Sequence, residues 1–151
     1  MTNYRFYSRY RIGLCTLRSF LQNTNETLAL PHVESLFMSA AVGEWDGYFR
    51  KEPYYHLARF CRTRQDFRRC VAYATAGHYA PPVDYARVPL FLETAIYSWG
   101  IEEELAYCLL QVGRNDTARF HYRRLIENAA DLAIPADALA GMKSVLAQYL
   151  S

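Results

Sequence analysis

The apolar positions along the chain recur at three- and four-residue steps, and no segment shows the period-two alternation of a strand. Near the start, Tyr7, Tyr10, Leu14, Leu17 and Leu21 fall on one helical stripe. "NTNETLALP" breaks that stripe, and Pro31 suits the opening of a second helix from about His32 to Gly43. After the polar connection "GEWDGYFRKEP", Pro53 opens a third helix, "PYYHLARFCRTRQ". A corner at Gln65 and Asp66 leads to a fourth, "DFRRCVAYATAGHY", which Pro81 and Pro82 stop. A fifth helix is expected from about Gly100 to Val112, a sixth from Asp116 to Asp131 and a last one after Pro135. On that last helix Leu139, Met142, Val145, Leu146 and Tyr149 share a face. Short turns between helices predict an all-α chain of antiparallel hairpins.

Two of the hairpins match. Counting from Leu57-Ala58 and from Leu105-Ala106, a small residue follows twelve positions after the alanine, Cys70 in one and Ala118 in the other. The corners "RTRQDF" and "QVGRND" fall at equivalent places. Small residues at these points let two helices approach closely, so the spacing has a packing cause. "VGRNDTA" is therefore expected to be a helix corner. A phosphate loop needs several glycines and a following Lys-Ser/Thr, and only Gly113 is present. Asn115 or Asp116 would cap the helix that follows.

The pattern resembles the tetratricopeptide repeat. Tyr54, Leu57, Ala58, Cys61, Cys70, Ala74 and Pro82 carry the likeness in the first copy. Leu105, Ala106, Leu109, Gly113, Ala118, Tyr122 and Leu125 carry it in the second. The copies lie 48 residues apart where the motif has 34, Glu102 stands where an aromatic is usual, and the second copy lacks the closing proline. The string "PLFLETAIYSWGIEEELAYCLLQVGRNDTA" is also similar to the tetratricopeptide-type tail of some bacterial family-2 glycosyltransferases, through Leu90-Phe91, Tyr97-x-Trp99 and Glu104-Leu105-Ala106. The resemblance implies a short right-handed solenoid in one domain, residues 1–151. It divides into N-terminal helices (1–50), repeat hairpins (51–82 and 99–131), an inserted, irregular segment with a short helix (83–98) and a capping helix (132–151). In that family the first helix of each hairpin lines the inner groove. This places Tyr55, Arg59 and Arg62 from one copy, and Glu103, Tyr107 and Gln111 from the other, on a partner-binding groove suited to a peptide with acidic groups. The competing reading pairs Arg59 and Arg62 with neighbouring acids.

Charge sharpens this picture. The net charge of +2 conceals blocks of alternating sign: +4 over residues 1–25, −4 over 26–49, +5 over 50–69 and −3 over 70–151. Such blocks pair with one another or with a partner. Arg outnumbers Lys by 15 to 2, a preference that suits interface contacts or follows from codon usage. The Arg-rich, acid-free N-terminus reads as a first structural helix, with a mitochondrial address and an RNA-stacking surface as its competitors. No apolar run approaches the ~20 residues that span a bilayer. Cys15, Cys61, Cys70 and Cys108 form no C-x-x-C pair. No structural disulfide and an intracellular, reducing compartment, cytoplasmic or mitochondrial, are the expectation.

Chemistry finds little footing. The six Asp (46, 66, 84, 116, 131 and 137) include no Asp-x-Asp, and His32, His56, His78 and His121 show no metal-ligand spacing. No G-x-S-x-G is present. Glu102, Glu103 and Glu104 are expected to solvate the start of their helix, where negative charge suits the dipole. The expectation is thus a chain with no catalytic residues, metal or cofactor, acting as an adaptor or subunit that binds protein partners in a larger assembly. The alternatives are RNA binding by the Arg/Tyr blocks and an accessory role, in trans, to a glycosyltransferase.

Overall fold

The computed structural model describes residues 30–41, 50–81 and 92–151, together with Arg11 and Cys15. The expected first helix and most of the 83–98 segment therefore lie outside the described residues. What is described is all-helical, without a strand among the described residues: α1 (Leu30–Ala41), α2 (Glu52–Thr63), α3 (Phe67–His78), α4 (Ile101–Gln111), α5 (Asn115–Glu127) and α6 (Ala136–Tyr149). A π-helical turn, Ile96–Gly100, runs directly into α4, so helical backbone begins at Thr94, earlier than the expected start at Gly100. α5 ends at Glu127 where the expectation ran to Asp131. Each helix packs on the next, and α2 also meets α4 and the π-turn.

Most of the positions that match between the two segments lie in the core. Leu57, Ala58, Cys61, Cys70 and Ala74 are buried in one, and Leu105, Ala106, Leu109, Ala118, Tyr122 and Leu125 in the other. α2, α3 and the head of α4 converge at Gly77. A Cβ there would lie 2.9 Å from Tyr54 Cβ and 3.0 Å from Ile101 Cδ1, so glycine permits the approach. On α6 only Met142 of the expected stripe is fully buried, and Tyr149 faces outward.

Three corners share one geometry. Gln65, Gly113 and Ala133 have φ of 60°, 78° and 52°. In each, that residue's N–H donates to the carbonyl three back (Arg62, Leu110, Ala130), and the next N–H reaches five back (Cys61, Leu109, Ala129). This is the Schellman arrangement, which satisfies the last carbonyls of a helix. "VGRNDTA" is such a corner. The expected cap of α5 differs: Arg114 occupies the N-cap position without a side-chain bond, and Asn115 is already helical. Asp66 does cap α3, accepting from Arg69 N at 3.2 Å.

The expectation of no structural disulfide is overturned. Cys70 of α3 and Cys108 of α4 are bonded, with Cα atoms 6.1 Å apart. Both belong to the buried stripes that bring these two helices together, which puts the sulfurs face to face despite a sequence separation of 38. Such bonds persist in oxidising surroundings, so the cysteines no longer argue for a reducing compartment. Among the described residues no helix is long and apolar enough to cross a membrane.

Candidate functional site

The three consecutive glutamates at the head of α4 do not solvate it. Glu102 and Glu104 are 2% and 3% exposed. Successive residues on a helix diverge by about 100°, and this run therefore addresses two different neighbours. Glu102 faces α5. Its Oε1 accepts from Arg124 Nε at 2.7 Å and lies 2.9 Å from His121 Nδ1, while Arg124 Nη2 donates to Oε2. Burial pushes the Glu102 carboxyl up, but the Arg124 and His121 hydrogen bonds outweigh it and hold it at about 2. An ionised carboxylate can only accept, so His121 carries its proton on Nδ1.

Glu103 and Glu104 face α2. Glu104 Oε1 accepts from Arg62 Nη1 at 3.0 Å and lies 3.6 Å from Arg59 Nε, and Glu103 Oε2 is 3.8 Å from Arg62 Nη1. The Arg62 guanidinium also stacks 3.6 Å above the Tyr107 ring. Burial raises the pKa of both carboxyls, and Glu104's charge helps drive Glu103 to about 7 against the pull of Arg62 and Arg59.

These groups open onto a cavity of about 520 Å³ between α2, α4 and α6. Five of the six residues assigned to the groove line it: Tyr55, Arg59, Arg62, Glu103 and Tyr107. Gln111, at the exposed end of α4, does not. Trp99, Glu104 and Tyr122 complete the polar and aromatic lining, and Ala138, Gly141, Met142 and Val145 of α6 form an apolar side. The sequence carried no signal that α6 would close this space. Past Tyr55, Arg59 and Trp99 the groove continues into a second hollow of about 400 Å³ bordered by His56 and Glu93. Glu104 Oε2 and Tyr122 Oη, fully buried atoms of two lining residues, have no hydrogen-bond partner among the described residues.

The +5 block is largely drawn into the fold. Arg69 pairs with Glu34 at 3.4 Å and with Asp66 at 3.5 Å, while Lys51 Nζ donates to the His78 carbonyl at 3.3 Å. With Arg59 and Arg62 on Glu104, opposite-sign blocks do meet across the helices. Among the described residues, two clusters have the composition of metal ligands, Cys70/Glu104/Cys108 and His78/Glu102/His121. In the first, the two sulfurs are bonded to each other. In the second, the Arg124 guanidinium already occupies both oxygens of the carboxylate.

No protein-family model matches the chain, and neither a curated protein nor a solved structure is significantly similar to it. The reading of function therefore rests on the geometry above.

Proposed function

We propose that this chain is a non-enzymatic helical adaptor or subunit that holds a segment of a partner protein in the groove between α2, α4 and α6. Its hairpins would form a short solenoid of the tetratricopeptide kind, with α2, α4 and α6 as the inner helices. One observation carries the reading: five residues assigned from the spacing of the repeat line one cavity of about 520 Å³. That cavity mixes aromatic faces, an apolar wall and a few placed charges, which is the make-up of a peptide groove. RNA binding is the weaker reading, because Arg59, Arg62 and Arg69 are engaged with carboxylates of the same chain. The accessory role beside a glycosyltransferase rests on the resemblance of 89–118 alone.

Gly141 offers the test. It lines the cavity, and a Cβ there meets nothing within 4 Å, so Gly141→Trp fills the groove without disturbing the core. Affinity isolation from the source cells, with and without nuclease, should yield a fixed protein companion from the native chain and lose it with Gly141→Trp. A companion set that vanishes with nuclease, or that ignores Gly141→Trp, would sink the proposal.

A further inference from the structure

His78 at the end of α3 and His121 in α5 come together beside Glu102. Their rings stand perpendicular, with centroids 5.3 Å apart. One donor atom from each, and a carboxylate oxygen of Glu102, all lie within 4.8 Å of one another. The Arg124 guanidinium takes that carboxylate out of the ligand set. It leaves the imidazoles untouched. Because His121 Nδ1 carries its proton toward Glu102, the lone pair of the ring stands on Nε2. Neither His121 Nε2 nor a ring nitrogen of His78 makes a hydrogen bond among the described residues; His78 engages Lys51 through its carbonyl. A carboxylate that holds one imidazole N–H and leaves the other nitrogen bare is the usual setting of a histidine ligand.

The pair lies near the surface. His78 is half-buried, and the rings against the two histidines, Tyr79 and Phe120, are 68% and 61% exposed. His121 is buried, but its Nε2 is not among the side-chain atoms that lack both a partner and contact with solvent.

We propose that His78 and His121 bind one divalent ion of the zinc class, through His121 Nε2 and a ring nitrogen of His78, with Glu102 orienting His121 and water completing the coordination. The ligands select the ion. Neutral imidazole suits Zn²⁺, Ni²⁺ and Cu²⁺, whereas Ca²⁺ and Mg²⁺ want oxygen. With two protein ligands and with Lys51 and Arg124 nearby, the site binds more weakly than a closed four-ligand one. The ion ties α3 to α5 on the Glu102 side of α4. Neither histidine lines the groove, so the proposal is independent of the adaptor reading.

The probe is Zn²⁺ alone, titrated into the full chain with its disulfide intact and followed by the NMR signals of the histidine ring nitrogens. A Cys15→Ser background keeps that exposed thiol from competing. His121 Nε2 and one His78 nitrogen should shift together and saturate with a single ion, while His121 Nδ1 stays protonated and His56 does not respond. Mg²⁺ should move neither ring. His78→Phe keeps an aromatic ring against His121 and Tyr79, and it should weaken Zn²⁺ by about ten-fold or more. Zn²⁺ should also raise the thermal-unfolding midpoint of the native chain and leave that of His78→Phe unchanged. No saturable shift, a response centred on His56, equal binding of Mg²⁺, or unchanged affinity in His78→Phe would overturn the site. So would binding seen only in Arg124→Leu, because the guanidinium would then be what closes it.

Discussion

Glu102 and Glu104 stand two positions apart on one helix, with nearly equal burial, and they live in opposite chemical circumstances. On the α5 side both oxygens of Glu102 are engaged: two bonds come from Arg124 and one from His121. On the α2 side Glu104 keeps one oxygen without a hydrogen-bond partner among the described residues and shares Arg62 with Glu103. A closed network of buried charge reports on fold. An incomplete one leaves hydrogen-bonding capacity unused and carries a cost. Helix phase alone separates the two.

The largest way to disturb this contrast is the bridge beneath it. The Cys70 and Cys108 sulfurs lie within 4.8 Å of a Glu104 carboxylate oxygen, so the disulfide braces the Glu104 side. Closing a loop of this span is worth about 4 kcal/mol in chain-entropy terms. Cys70→Ser with Cys108→Ser, or reduction, should lower the urea-unfolding free energy by that order. Hydrogen exchange should show α3 amides losing protection before those of α5. An unchanged unfolding midpoint would mean the bridge does not form in solution.

Next comes the closed side. Arg124→Leu leaves the buried Glu102 with His121 as its remaining partner, and because the Arg124 side chain is itself 43% exposed, the cost is about 1–2 kcal/mol, below that of breaking a fully buried pair. The pH dependence has a definite sign. The Glu102 carboxyl is held at about 2 in the fold, below its unfolded 4.5. Its contribution is therefore fully present above about pH 4.5 and is lost as pH falls toward 2. The gap in stability between native chain and variant should be widest near neutrality and close across that window. A gap independent of pH would show that Arg124 acts through packing alone.

Much of this was legible in the sequence, for a physical reason. The alanine-plus-twelve spacing selects small residues where helices must approach, and small buried residues can hardly be replaced without moving a helix. Ala58, Cys70, Ala106 and Ala118 are all fully buried where helices pack. The helix phase of the glutamates was also readable. Glu102 precedes Leu105, Ala106 and Leu109 by three, four and seven positions, which puts it on the buried stripe, and Glu104 precedes Cys108 by four. The acidic run suggested solvent because charge is usually outside, and its partners Arg62, His121 and Arg124 come from other helices. Tertiary pairing of this kind leaves no local trace. The same holds for the disulfide, whose cysteines are far apart in sequence, and for α6, whose side of the cavity depends on how it docks. The misplaced cap at Asn115 arose because Gly113 sets the corner: with its left-handed φ the chain re-enters a helix at Asn115, one residue sooner than the polar side chains suggest.

The last test asks whether the α2 side carries a cost at neutral pH. Burial and Glu104's charge raise the Glu103 carboxyl to about 7, above the 4.5 of an unfolded chain. A raised acid stabilises the fold at low pH, fully below about 4.5, and that contribution disappears as pH climbs through 7. Glu103→Gln stays uncharged throughout and removes this dependence. Relative to the native chain it should therefore be more stable by about 2 kcal/mol at pH 8 and nearly equal at pH 4, the figure being reduced for partial exposure of the carboxyl. Thermal unfolding at the two pH values measures it. The direction matters more than the size, because Arg124→Leu narrows its gap as pH falls through an acid window, whereas Glu103→Gln opens its gap as pH rises through a neutral one. If Glu103→Gln instead destabilises the chain at pH 8, Glu103 is a satisfied ion pair with Arg62. The α2 side would then be as closed as the Glu102 side, and the contrast between the two faces of α4 would disappear.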